Sequence, residues 1–119
     1  MKILLTLFIL FFSSSAVSGD GDLYICKTVN LVKAYKYETK EFRSFDFNFK
    51  KNKDSIIFGK GGYFDEGILP INNSAGEYFD GGKEWTRFIY NDGLFMFVSL
   101  VNTDERQDVL TIIADCKLF

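Results

Sequence analysis

Residues 45–50 alternate strictly between phenylalanine and polar side chains, and Phe45, Phe47 and Phe49 are the apolar members. A period of two places successive side chains on opposite faces of an extended strand. The pattern therefore predicts a half-buried β-strand with an aromatic inner face, and it is incompatible with a helix. A chain that contains such a strand must build a sheet with at least one covered face.

Short apolar runs bounded by glycine or polar residues recur along the rest of the chain. Asp92-Gly93 suits a tight hairpin turn because both residues accept positive φ. Pro70, the only proline, predicts a strand that ends there or lies at a sheet edge, since proline donates no ladder hydrogen bond. We predict strands at 23–29, 42–50, 55–58, 63–71, 77–79, 85–90, 94–101 and 109–118, turns at 51–54 and 80–83, and a loop at 72–76.

The spacing of these segments predicts the fold class. Segment 30–40 is either an irregular continuation of the first strand, which we favour, or a short helix. Seven or eight short strands joined by turns predict an all-β fold, either a small antiparallel barrel or a barrel-like sandwich.

The strands predicted at 94–101 and 109–118 are apolar on both faces. A sheet region of that kind must be covered on both sides. We expect segment 30–40 or a loop to provide the second cover, and the alternative is a partner, a second copy or a ligand. The predicted interior is Phe45, Phe47, Phe49, Ile57, Trp85, Ile89, Leu94, Met96, Val98 and Ile112.

The first 18 residues have the layout of a secretory signal peptide. Lys2 gives a basic start, residues 3–12 are an apolar run, and Ala16 and Ser18 are small residues before Gly19. The apolar run is too short to span a bilayer, so we predict cleavage and no integral membrane anchor. The mature chain, 19–119, then forms a single exported domain that is periplasmic or secreted.

Charge and aromatic content restrict the partners of the mature chain. Without Lys2 the chain has 13 basic and 16 acidic residues, a net charge of −3, which argues against nucleic acid and anionic membrane surfaces. Eighteen of the 21 aromatic residues lie in the mature chain. That number exceeds what a core of this size needs, so some should line a cavity or lie exposed.

Cys26 and Cys116 are the two cysteines, one near each end of the mature chain. In an exported protein they predict a disulfide that joins the first strand to the last. The alternative is two buried free thiols.

Catalytic constellations are scarce in the sequence. There is no histidine, which excludes serine–histidine and cysteine–histidine catalysis. Asp65-Glu66 is the carboxylate pair that a hydrolase would use, but neighbouring strand residues point to opposite faces. Asn72 begins a glycosylation sequon, which matters only in a host that glycosylates. We predict no enzymatic activity, no metal and no cofactor.

These features favour a non-enzymatic exported binding module that takes a small apolar molecule or a protein partner. The second hypothesis is an envelope-associated structural or inhibitor protein that acts through an exposed apolar sheet face around Phe95 and Phe97. A hydrolase that depends on carboxylates alone is the third. The predicted binding residues are Tyr63, Phe64, Tyr78, Phe79, Phe95 and Phe97, with the first four expected together at one end of the sheet.

Overall fold

The computed structural model describes residues 21–119, which form strands, turns and loops without a helix. No helix in that part of the chain is therefore long and apolar enough to cross a membrane. The strands are β1 (Asp22–Tyr35), β2 (Thr39–Glu41), β3 (Asp46–Lys51), β4 (Ser55–Phe58), β5 (Ile68–Ala75), β6 (Tyr78–Lys83), β7 (Thr86–Asn91), β8 (Leu94–Asn102) and β9 (Gln107–Leu118).

Eight of these strands form a closed antiparallel barrel. The order β1-β3-β4-β5-β6-β7-β8-β9 follows the chain, and β9 pairs with β1 to close the ring. Short turns between consecutive antiparallel strands produce this up-and-down arrangement, and closure removes the exposed sheet edges of an open sheet. The predicted all-β antiparallel barrel is confirmed.

Strands β2 and β3 both pair with the same edge of β1, one after the other, and residues 42–45 connect them. Val32–Ala34 pair with β2, and Asp22–Lys27 pair with β3. Between them the backbone N–H and side-chain hydroxyl of Thr28 both bond the Phe45 carbonyl oxygen, opposite a bulge in β1. Segment 30–40 thus continues the first strand as far as Tyr35, which is the favoured interpretation, and then returns as β2.

The barrel has two distinct ends, which we name by their connections. The turns at 36–38, 59–67, 84–85 and 103–106 lie at the upper end. The lower end holds the turns at 52–54, 76–77 and 92–93, together with residues 21 and 119. Because β1, β8 and β9 are longer than the other strands, their upper halves extend beyond the barrel, and with β2 they form a four-stranded extension.

Aromatic rings fill the interior of the barrel. Phe49 and Phe95 are fully buried, and their ring centroids lie 5.7 Å apart. Phe64, from the 59–67 loop, stacks on Phe58 at 4.0 Å and closes the upper opening. An eight-stranded barrel is just wide enough to be filled in this way. The ten buried aromatics are Tyr24, Phe47, Phe49, Phe58, Phe64, Phe79, Phe88, Tyr90, Phe95 and Phe97.

The predicted interior is correct for β3 and wrong for β7 and β8. Phe47, Phe49 and Ile112 are buried, but Ile89 and Met96 are 41% and 44% exposed. Both faces of β8 are apolar, so its alternation alone does not reveal which face is inside. The larger aromatic side chains occupy the interior because they fill it, whereas the aliphatic set points outward. The prediction is also wrong for Ile57 of β4, which points outward because Ile56 and Phe58 are the buried residues of that strand. Trp85 and Leu94 are exposed, and Val98 and Phe45 are only partly buried.

Strands β5 and β6 differ most from the predicted elements. Residues 72–75, predicted as a loop, belong to β5, and residues 80–83, predicted as a turn, belong to β6, whereas residues 63–67 lie outside any strand. The glycines of β6 serve close packing: a Cβ at Gly81 would collide with the carbonyl oxygen of Pro70. Pro70 lies between β4 and β6 rather than at an edge. Its pairing with β4 ends there, and a bulge follows.

A disulfide joins Cys26 of β1 to Cys116 of β9 directly across the closing strand pair, as predicted. Both sulfur-bearing residues are buried against the aromatic interior. The bond is consistent with an oxidising environment of the kind found outside the cytosol. The predicted signal peptide, residues 1–18, lies outside the described residues.

Candidate functional site

An apolar surface lies on the outside of β7, β8 and β9. Ile89, Met96 and Ile113 occupy one row across the three strands, since the ladder pairs Ile89 with Met96 and Met96 with Ile113. Leu100 pairs with Val109 higher on the same side. We name as the outer apolar face the six residues Ile89, Met96, Val98, Leu100, Val109 and Ile113.

The outer apolar face follows directly from the parity of β8. Phe95 and Phe97 point inward, so Met96, Val98 and Leu100 must point outward. Met96 and Leu100 retain 44% and 47% of their accessible surface. Exposed aliphatic side chains in adjacent rows form a contiguous patch, which on a monomer indicates a binding surface more often than scattered residues do.

A pocket of about 960 Å³ adjoins this face at the upper end. Leu100, Val109 and Ala34 share its outer row, because the ladder pairs Val109 with both of the others. Trp85, in the turn after β6, is 69% exposed and forms a wall beside Leu100, whose N–H bonds the Trp85 carbonyl oxygen. Apolar side chains with a few polar neighbours are typical of ligand pockets of this volume. The polar members of the lining are Lys36, Asn102, Thr103, Gln107 and Asp108.

The four aromatics predicted to lie together are separated between the two ends. Tyr63 and Phe64 lie in the upper 59–67 loop, whereas Tyr78 and Phe79 begin β6 at the lower end. Phe64 and Phe79 are buried and complete the interior, while Tyr63 is 52% exposed and Tyr78 is half-buried. The expectation of one shared end is therefore wrong, because the β4–β5 and β5–β6 connections of an up-and-down barrel lie at opposite ends.

Phe95 and Phe97 are buried and do not form an exposed patch. Their rings contact Phe47 and Phe64 inside the barrel, at 5.4 and 5.0 Å between centroids. Their outward-facing neighbours in β8 provide the exposed surface instead. The two-faced apolar pattern of β8 in the sequence indicates that surface, but the pattern does not show that the aliphatic face is the outer one.

A polar network occupies the outside of β5, β6 and β7. Asp80 is buried, and it accepts hydrogen bonds from the Tyr78 hydroxyl and from the Asn73 amide at 3.1 Å. Arg87 approaches the same carboxylate at 3.5 Å. The hydrogen bonds from Tyr78 and Asn73 lower the pKa of Asp80. Because Tyr78, Asn73 and Arg87 all stabilise the charged form, this carboxylate links β5, β6 and β7 on the outside of the barrel.

A second buried carboxylate, Asp108, lies on the inner side of the extension. The Arg106 guanidinium binds both of its oxygens, at 2.5 and 3.4 Å. These hydrogen bonds lower the pKa of Asp108, and the positive charge of Lys33 acts in the same direction. The pair orients Arg106 at the inner side of the upper end.

The carboxylates considered for catalysis take part in turns. Asp65 accepts a hydrogen bond from the Gly61 N–H at 2.7 Å, and Glu66, with φ of 60°, lies 4.0 Å from the Lys60 ammonium. Both side chains belong to exposed residues of the 59–67 loop. Among the described residues, no group of three or more histidine, cysteine, aspartate or glutamate side chains is arranged to hold a metal ion.

The fold and the surface together define a class: a small disulfide-closed β-barrel with a filled interior and an apolar outer face. Comparison of the chain with protein-family models, with curated proteins and with solved structures finds no match.

Proposed function

We propose that this chain is an exported, non-enzymatic binding module that holds a protein partner against its outer apolar face. The observation that supports the proposal is the orientation of β8, whose aromatic face points inward and whose aliphatic face points outward. The aromatic face fills the barrel, and the aliphatic face, which could have been covered by a loop, stays exposed at Met96 and Leu100. An interior filled by aromatic rings favours a partner bound outside over a small molecule bound inside.

The chemistry of the face favours contact with an apolar protein surface. Its six members are aliphatic or thioether side chains, and methionine adapts its shape to irregular partners. The mature chain carries a small net charge of −3, so electrostatic steering is weak. Nucleic acid is not a partner in this proposal, because it would require a basic stripe. The disulfide fits export to the periplasm or secretion, where the module would meet its partner.

Site-specific photo-crosslinking in the exporting cell tests the proposal. A photoreactive phenylalanine analogue at Met96 lies on β8, the central strand of the outer apolar face. The matched control is Ile68 of β5, which is also apolar and is 58% exposed. It also points outward, since it pairs with the outward-facing Ile57. In the ring of eight strands, β5 lies opposite β9.

The proposal predicts one discrete protein adduct from position 96 and none from position 68. Adding Leu100→Lys to the chain that carries the probe at 96 should remove the adduct while the disulfide-bonded protein remains soluble. Absence of any adduct at 96, or the same adducts at both positions, would contradict a dedicated outer surface.

A small apolar molecule in the upper pocket is the second candidate function, because Trp85 forms an exposed aromatic wall there. The neutral dye Nile red is a suitable probe. Saturable fluorescence enhancement that is lost in Trp85→Ala but kept in Ile68→Ala would support this function. Binding that is unsaturable, or equal in both variants, would exclude the pocket.

A further inference from the structure

Two lysines face each other directly across the β1–β2 pair. The ladder sets Lys33 opposite Lys40, on the inner side of the extension, since Lys33 also pairs with the buried Leu110. Like charges in directly opposed positions destabilise a sheet. Lys33 offsets part of this cost, since its positive charge stabilises the buried carboxylate of Asp108, whereas Lys40 lies on an exposed strand.

Both ammonium groups lie near one aromatic ring. The Lys33 and Lys40 nitrogens are 6.0 and 5.6 Å from the centroid of the Tyr35 ring. A ring face attracts cations, so the Tyr35 ring stabilises both charges. Tyr35 pairs with Asp108, which places the Arg106 guanidinium on the same side of the sheet. We name Lys33, Lys40 and Arg106 the cationic cluster.

The cationic cluster keeps unused donors. Arg106 has five N–H donors, of which Asp108 engages two. Lys33 forms no ion pair with residues 21–119, and Lys40 has only a solvent-exposed contact of 3.9 Å with Glu38. Two carboxylates contact these three cations, Asp108 at Arg106 and Glu38 at Lys40, and the exposed Asp104 and Glu105 lie in the same turn as Arg106.

We propose that the cationic cluster is a binding site for a phosphate group. Lysine provides a mobile point charge for phosphate, and the free edge of an oriented arginine supplies directed hydrogen bonds. A bound dianion turns the repulsion between Lys33 and Lys40 into attraction toward a shared ligand. The site lies on the inner side of the extension, away from the outer apolar face, so it is independent of the protein partner proposed above.

Inorganic phosphate is the first probe. Backbone amide shifts are followed by two-dimensional NMR during a phosphate titration at constant ionic strength and pH, with chloride as the reference anion. The expected result is saturable shifts of Lys33, Lys40 and Arg106. The variant Lys33→Gln/Lys40→Gln should bind phosphate at least about tenfold more weakly. The substitutions remove charge-assisted hydrogen bonds, and the loss of one such bond lowers an affinity by about tenfold or more.

The matched control is Lys50→Gln/Lys53→Gln, two exposed lysines at the lower end with the same change in charge. It should bind phosphate as the unchanged chain does. The dispersion of the NMR spectrum reports whether each variant is folded. Shifts that chloride reproduces, or an equal loss of binding in the control, would overturn the proposal.

Vesicles distinguish the two sources of the phosphate group. Cosedimentation with phosphatidylcholine vesicles that contain phosphatidylglycerol, lost in Lys33→Gln/Lys40→Gln and kept in the control, identifies a lipid head group. Phosphate binding without cosedimentation identifies a soluble phosphate compound. Binding of neither free phosphate nor vesicles refutes the site.

Discussion

Phe95 and Met96 are neighbours in β8 whose side chains face opposite environments. Phe95 is fully buried among aromatic rings, and Met96 keeps 44% of its surface exposed. Removing the Phe95 ring creates a cavity in a closed barrel, whose surrounding strands collapse only in part. Phe95→Ala should therefore cost about 3–5 kcal/mol of unfolding free energy. Met96→Ala should cost less than about 1 kcal/mol, as is usual for surface positions.

Urea unfolding of the two alanine variants, monitored by far-ultraviolet circular dichroism, measures this difference. The comparison also tests the side-chain parity of β8. Equal losses, or a larger loss for Met96→Ala, would mean that the aliphatic face lies inside.

Tyr24 is a buried phenol near the lower end. Burial, followed by the nearby Tyr90 and acidic side chains, raises its pKa from 10.0 to about 12. Between pH 10 and about 12 the folded state therefore keeps the phenolic proton of Tyr24, which the unfolded state loses. This contribution to stability is complete below pH 10 and is lost as the pH rises toward about 12. We expect the unfolding free energy of the unchanged chain to fall over that interval more steeply than that of Tyr24→Phe.

Spectrophotometric titration of tyrosinate at 295 nm checks the same assignment. The absorbance change that the unchanged chain shows near pH 12 should shrink in Tyr24→Phe. Loss of absorbance change near pH 10 instead would show that the Tyr24 phenol is not protected.

At the scale of elements, the strand pair β1–β9 closes the barrel and carries the disulfide. Cys26 and Cys116 are 90 residues apart, so the bond restricts nearly the whole mature chain in the unfolded state. Chain entropy predicts a stabilisation on the order of 4–5 kcal/mol for a loop of that length. Denaturant unfolding of Cys26→Ala/Cys116→Ala should show a loss of at least about that size, because buried contacts are lost as well. A loss below about 1 kcal/mol would show that the strand pairing alone is sufficient.

The elements that the sequence predicts well are those with one apolar face. Phe47 and Phe49 alternate with polar residues, so both the strand and its inner face follow from the pattern. In β8 both faces are apolar, and only three-dimensional packing decides that Phe95 goes inside and Met96 outside. The outer apolar face could therefore be anticipated as a two-faced strand, but its residues could not be assigned.

Other features depend on contacts between distant segments. Gly81 resembles a turn residue in the sequence, yet it lies within a strand because Pro70 of β5 leaves no room for a side chain. The stacking of Phe64 on Phe58 comes from a loop without periodicity. The opposition of Lys33 and Lys40 depends on the register of β1 and β2, which includes a bulge that no local pattern indicates.

At the scale of the whole molecule, the interior, the outer side and the extension of the barrel differ in chemistry. The interior is occupied by aromatic side chains that hold the fold together. The outer side of β7, β8 and β9 is available for apolar contact, and the inner side of the extension carries the cationic cluster. In these proposals a protein partner binds the outer side of β7, β8 and β9, and a phosphate group binds the inner side of the extension at β1, β2 and the 103–106 turn.

The central claim is that a protein partner binds the outer apolar face by apolar contact. Crosslinking identifies the partner. The most direct test is then to measure how tightly that partner binds the unchanged chain, Met96→Lys and Ile68→Lys. Each affinity is measured at low and at moderate salt. We predict that salt changes the affinity little, that Met96→Lys weakens it at least about tenfold because a charge is buried at the contact, and that Ile68→Lys leaves it unchanged. An affinity that collapses with salt, or an equal loss in both lysine variants, would contradict the account.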